Sequence, residues 1–207
     1  MACLCIQRSL FPQRNGRLLF VPLGTLTTGR IRRHWQSTTT SNSISVKQEI
    51  EQANQRQDKV VIQRTPDDRG WGVFANQDFG IGDLVISATA LQVSAKQGSH
   101  TIQTGWQSHV YMDLPARFLN HVCGPATVGI RPNDKAVYDF VAIAHIQKGR
   151  EVVWDYECTE YELGNFECSC GLATCRGQLR GFRYHGPLVL QAHGKDCIAP
   201  YLFTPPM

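Results

Sequence analysis

Cys168, Cys170 and Cys175 stand in Phe166-Glu167-Cys168-Ser169-Cys170-Gly171-Leu172-Ala173-Thr174-Cys175-Arg176-Gly177 with the spacing C-x-C-x4-C. Thiolates so placed can hold zinc, but a closed structural zinc site takes four tetrahedral ligands, each sulfur about 2.3 Å from the ion. The cluster is one ligand short and must recruit a residue from elsewhere in the fold. Cys123 is the first candidate, with Cys158 and Cys197 as spare thiols able to take its place. Eight cysteines are also compatible with a disulfide framework, but no segment reads as a secretory signal. Short cysteine spacings without one argue for metal.

Other residues gain meaning from their order along the chain. Taken singly, Gly70 and Gly72 read as a tight turn, Asn120 as a cap and His121 as a core histidine. Trp154 and Tyr156, two apart on a strand, read as core filling. Together they fall into ordered blocks. Gly70-Trp71-Gly72-Val73-Phe74-Ala75 resembles a G-x-G-V-F-A opening, and Gly82-Asp83-Leu84-Val85 resembles the step that follows it. Arg117-Phe118-Leu119-Asn120-His121-Val122-Cys123-Gly124-Pro125 resembles R-F-x-N-H-S-C-x-P. The stretch from Phe140 to Tyr156 is similar to F-x-A-x-x-x-I-x-x-G-E-E-L-x-x-D-Y. With the C-terminal cysteines these blocks resemble the SET-domain protein-lysine methyltransferases and their post-SET zinc motif, over Gly70 to Gly177.

The resemblance implies a mainly β, SET-type fold of small curved sheets with a threaded C-terminal segment and a zinc-bound tail. It implies one zinc ion shared by Cys123, Cys168, Cys170 and Cys175. It also implies S-adenosylmethionine as methyl donor, contacted by Gly70, Trp71, Gly72, Asn120 and His121. Phe182 would be an aromatic lid, with Leu179 and Tyr184 as competitors for that place. Tyr156 is implied as the catalytic hydroxyl that orients a lysine amine on a protein or peptide substrate. Asp155 and Glu157 read as structural carboxylates. Methyl transfer needs a neutral amine, and lysine titrates near 10.4, so the site must disfavour the ammonium by desolvation and by the neighbouring sulfonium.

Two positions depart from the motif, Val122 for serine and Ala126 for asparagine. The tyrosine expected upstream as the second tunnel wall is replaced by His100-Thr101-Ile102-Gln103-Thr104-Gly105-Trp106, with Tyr111 or Trp106 as stand-ins. These departures keep two other readings open: a degenerate SET module that binds without turnover, and a β domain merely stapled by zinc.

The elements that must position these groups read as a mainly β domain. Strand-length runs occur at 59–64, 72–75, 84–87, 90–94, 108–112, 127–130, 137–142 and 151–154, divided by Gly, Pro, Asn and Asp. No segment sustains a 3.6-residue apolar period, although Leu114 to Leu119 can make one helical turn. The organisation expected is an N-terminal tail over 1–45, a linker or short helix over 46–58, a SET domain over 59–165, the zinc segment over 166–182, and an extension of unassigned role over 183–207.

With 207 residues and 42% hydrophobic content, one core is the default. Residues 1–48 carry seven basic and no acidic side chains, leaving 14 basic and 17 acidic for the rest, so the formal +4 is a property of the N-terminus. An Arg-rich, Ser/Thr-rich, acid-free start resembles an organellar transit peptide, and Arg32-Arg33-His34-Trp35 before a Ser/Thr run favours mitochondrion over plastid. The alternative is a disordered tail on a nuclear or cytoplasmic protein. Neither direct nucleic-acid binding nor a membrane span is expected, and a monomer is.

Overall fold

The computed structural model describes residues 45–67, 69–98, 100–164, 166–204 and 206. The transit-peptide reading therefore falls almost wholly outside the described residues.

The chain opens with helix α1 (Val46–Arg56). Ser45 Oγ accepts the Gln48 N–H while Gln48 Oε1 accepts the Ser45 N–H, a reciprocal cap that satisfies two otherwise orphaned donors. Ile50 and Ala53 are buried, and the Asn54 side chain bonds both the N–H and the C=O of Ile62. The segment read as a linker or short helix is thus a helix fastened to the first strand.

Twelve short strands follow among the described residues: β1 (Val60–Arg64), β2 (Trp71–Ala75), β3 (Leu84–Ser87), β4 (Ala90–Ser94), β5 (Thr101–Gly105), β6 (Ser108–Met112), β7 (Asn120–His121), β8 (Val128–Pro132), β9 (Tyr138–Ala142), β10 (Val153–Trp154), β11 (Phe166–Glu167) and β12 (Gln178–Leu179). They pair into five small sheets: β1-β2, β3-β9-β8, β4-β6-β5, β11-β12, and the parallel pair β10-β7. Phe140, Val73 and Val152, each 0% exposed, lie in the common core. Sheets this small leave many strand ends at loops, and that is where the motif residues cluster.

The β7-β10 pair matters most. It sets Asn120 opposite Val153 and His121 opposite Trp154, so two motifs separated in sequence become neighbours. The Leu114–Leu119 turn appears as a 3-10 turn over Ala116–Phe118. One long element was not expected: helix α2 (Phe182–His193) follows β12 and contains Pro187. A Gly186-Pro187 step inside it, where proline forfeits a main-chain hydrogen bond, hides the helix from a propensity reading. No helix among the described residues is long and apolar enough to cross a membrane.

Candidate functional site

Four cysteines meet. The Sγ atoms of Cys123, Cys168, Cys170 and Cys175 lie within 4.8 Å of one another, and Cys123 Sγ is 3.6 Å from Cys168 Sγ. Tetrahedral ligands at about 2.3 Å from one ion sit roughly 3.8 Å apart, so this donor set fits zinc. Cys158 and Cys197 stand outside the cluster. The surrounding donors suit thiolate: the backbone N–H groups of Arg176 and Gly177 point at Cys123 Sγ and Cys175 Sγ, at 3.3 and 3.4 Å.

His121 links this cluster to Tyr156. Its Nδ1 accepts the Tyr156 backbone N–H at 3.1 Å, which leaves the proton on Nε2, 3.1 Å from Cys123 Sγ. Burial pushes the imidazole down to about 4, so the neutral tautomer is the one present. The ring is buried and does not line the cleft described next.

That cleft, about 680 Å³, has the size of a small-molecule site. Gly70, Trp71, Asn120, Trp154 and Tyr156 line it, together with Phe166, Arg69, Arg117 and Glu160. Gly70 holds φ at +104° and nothing lies within 4 Å of where a side chain would begin, so here the backbone is open to a ligand. Gly72 has a different cause. A Cβ there would meet Glu151 Oε1 and Thr65 Cγ2 at 2.8 Å and Asn120 Nδ2 at 3.0 Å, so this glycine makes room for the packing of these side chains. Asn120 Nδ2 donates to Trp71 O at 3.1 Å and Glu151 Oε1 at 2.8 Å, while Arg69 Nη2 reaches Glu151 Oε2 at 2.6 Å. Glu151 therefore fixes two cleft residues at once.

Tyr156 starts a 3-10 turn capped by Asp155. Its hydroxyl donates to Leu119 O at 2.8 Å, and burial raises its pKa well above the usual phenol value, so it stays protonated and its oxygen keeps lone pairs for an incoming N–H. Trp154 and Phe166 stand at ring-centroid distances of 5.3 and 5.9 Å from it. The Trp154 indole N–H is buried without a partner among the described residues.

Asp155 and Glu157 are structural, as expected. Arg176 Nη2 contacts Asp155 Oδ1 and Oδ2 at 2.6 and 2.8 Å, and His193 Nε2 reaches Oδ2 at 3.0 Å. Burial opposes the Asp155 charge, but His193 and Arg176 outweigh it and hold the carboxyl below its usual range. Arg176 Nε lies 2.8 Å from Glu157 Oε2 as an ion pair, although its N–H is not directed along that line. Glu157 Oε1 also accepts the N–H groups of Arg180 and Gly181 at 2.9 and 2.7 Å, fixing the backbone that leads into α2.

Phe182, the residue expected as a lid, opens α2, packs edge-on against Phe203 at 5.5 Å and against the core, and does not line the cleft. Leu179 is fully buried, and Tyr184 lies under the Arg180 guanidinium at 4.0 Å. The aromatic that the zinc segment does bring to the cleft is Phe166, two residues before Cys168, and its place beside a metal ligand was the available signal. Neither stand-in for the tunnel wall lines the cleft: Trp106 packs on Tyr161 and Tyr201, and Tyr111 reaches the Gly98 loop. Val122 and Ala126 are buried, apolar replacements at apolar positions.

Residues 70–157 match the SET domain family. Among curated proteins, the chain is 39% identical over 66 residues to the H3 lysine-4 specific histone-lysine N-methyltransferase of Schizosaccharomyces pombe, covering 31% of this chain and 7% of that protein. It is 37% identical over 87 residues to the H3 lysine-9 specific histone-lysine N-methyltransferase dim-5 of Neurospora crassa, covering 33% and 26%. It is 32% identical over 68 residues to the histone-lysine N-methyltransferase Set2 of Drosophila melanogaster, covering 32% and 3%. The chain thus spans at most 26% of the length of these relatives. A crystal structure of KRYPTONITE in complex with mCHG DNA and SAH superposes with a TM-score of 0.45 at 20% identity, covering 57% of this chain and 28% of that one. The mainly β architecture of small sheets agrees with the match of residues 70–157 to the SET domain family.

Proposed function

We propose that this protein is an S-adenosylmethionine-dependent protein-lysine N-methyltransferase acting on a non-histone protein. The observation that carries the reading is the convergence of Gly70, Trp71, Asn120 and Tyr156 on one cleft beside a four-cysteine cluster. The lysine methyltransferases among its relatives support the reaction class.

When bound, S-adenosylmethionine supplies an electrophilic methyl group. The open backbone at Gly70 and the Asn120 side chain are the groups that would hold it. Tyr156, its proton given to Leu119 O, offers an oxygen that accepts an N–H of the lysine amine and so aims the nitrogen lone pair. Trp154 and Phe166 dry the approach, which favours the neutral amine. Cys123, Cys168, Cys170 and Cys175 would hold a structural zinc ion, and that zinc segment carries Phe166 to the cleft.

The acid-free, Arg-rich N-terminus supports a mitochondrial site of action and hence a non-histone acceptor. The test is incubation of the zinc-loaded protein and labelled S-adenosylmethionine with mitochondrial extract and, separately, with purified histones. Label on lysines of extract proteins is expected. Label on histones alone contradicts the acceptor class, and cofactor binding with no transfer to any protein favours the degenerate-module reading.

A further inference from the structure

The cleft contains a charged group that the proposed chemistry leaves idle. Glu160 lines it four residues after Tyr156 and is 3% exposed. Oε1 accepts the Gln103 backbone N–H at 2.7 Å, and Oε2 accepts the Gln97 side-chain amide at 2.9 Å. Both donors are neutral. His109 Nε2 on β6 lies 3.8 Å from Oε2, beyond hydrogen-bond reach, and Nδ1 of the same ring is buried without a partner among the described residues. Tyr138 on β9 and Tyr201 in the 3-10 turn Pro200–Phe203 direct their hydroxyls to the Gln103 carbonyl at 3.2 and 3.1 Å, not to the carboxylate. The Tyr156 hydroxyl is engaged by Leu119.

The other buried carboxylates among the described residues are treated differently. Asp155 and Glu157 each meet the Arg176 guanidinium and a histidine. The two arginines of the cleft are also spoken for, Arg69 by Asp67 and Glu151 and Arg117 by Glu49. Glu160 is thus a buried acid with no guanidinium or ammonium among these partners, facing a cleft. Burial raises it to about 7 against its two hydrogen bonds and lowers His109 below its ordinary value, so both groups are pressed towards their neutral forms. An acid so placed is costly to ionise unless a ligand brings the counter-charge, and groups of this kind concentrate at functional sites.

We infer that Glu160 is the ligand-recognition carboxylate of this cleft and receives a positively charged group of the methyl donor. The inference rests on the reading of the cleft as a S-adenosylmethionine site and adds the charge that site uses. The donor carries two cations, its sulfonium and its α-ammonium, whereas S-adenosylhomocysteine keeps the ammonium alone. Only ionised Glu160 pairs with a cation, so binding should strengthen as pH rises through about 7 and should expel the proton that Glu160 otherwise holds.

The experiment is calorimetric titration of both ligands into the full, zinc-loaded chain at about pH 6 and about pH 7.5, for wild type and Glu160→Gln. For wild type, S-adenosylmethionine affinity should rise about tenfold over that interval with proton release, the change expected when a group titrating near 7 must be ionised in the complex. Glu160→Gln should hold affinity near the low-pH wild-type level and abolish the pH dependence, an effect that a purely structural carboxylate would not produce. S-adenosylhomocysteine following the same pattern identifies the ammonium as the partner, and its indifference to both changes identifies the sulfonium. Wild-type affinity independent of pH overturns the inference without recourse to the variant, as does Glu160→Gln binding like wild type at about pH 7.5. If folded, zinc-loaded wild type binds neither ligand, the reading of the cleft itself has failed and the inference falls with it.

Discussion

Tyr156 is held at both ends, its backbone N–H by His121 Nδ1 and its hydroxyl by Leu119 O. That double grip gives the phenol oxygen one position relative to the cleft. Tyr156→Phe keeps the ring and removes the oxygen, so turnover should drop roughly 100-fold while cofactor affinity changes little, as for loss of one positioned polar group at a reacting centre. Calorimetry beside a methyl-transfer assay checks this, and an equally active variant contradicts the assigned role. Gly70, Trp71, Asn120 and Tyr156 were legible in the sequence because each sits in a block whose order is informative, and all four line the cleft. Gly72 and His121 belong to the same blocks but do not line the cleft, Gly72 packing against Glu151 and Thr65 and His121 lying beside Cys123, since a motif names residues without telling their neighbours. Glu160 left no trace in the sequence at all. Its character comes from burial among neutral donors, which only the folded chain supplies.

At the scale of elements, strands with period-two or continuous apolar runs were readable, and β3, β4 and β6 lie where their residues place them. The two-residue strands β7, β11 and β12 were beyond such a reading, because their pairing depends on tertiary contact and not on β propensity, whereas β10 falls inside the run read over 151–154. α2 was hidden by Gly186-Pro187, yet it is anchored by His185 and His193 to the two carboxylates that flank Tyr156. Gly181 is the joint that allows this. It adopts φ +100°, and a Cβ there would stand 2.4 Å from Tyr161 O. Gly181→Ala should therefore cost about 2–4 kcal/mol through backbone strain and overlap. Urea unfolding measures that loss, and a variant within about 0.5 kcal/mol of wild type, the range of an ordinary surface substitution, would show that α2 is dispensable to the domain.

Across the whole molecule, the cysteine cluster, the buried ion-pair network and the cleft form one connected assembly. Cys123 Sγ meets His121, His121 meets Tyr156, and Arg176, next to Cys175, clamps Asp155 and Glu157 on either side of Tyr156. A metal bound by all four cysteines would therefore order the segment that brings Phe166 to the cleft, joining metal binding to ligand binding. The measurement that tests this most directly is titration of S-adenosylmethionine into zinc-loaded wild type, chelator-stripped wild type and Cys123→Ser, with zinc content determined on the same samples. One zinc ion per chain and one cofactor site in the loaded protein, with both lost together in the stripped protein and in Cys123→Ser, is the expected result; folded protein without zinc, or cofactor binding unchanged when the metal is gone, would contradict the account.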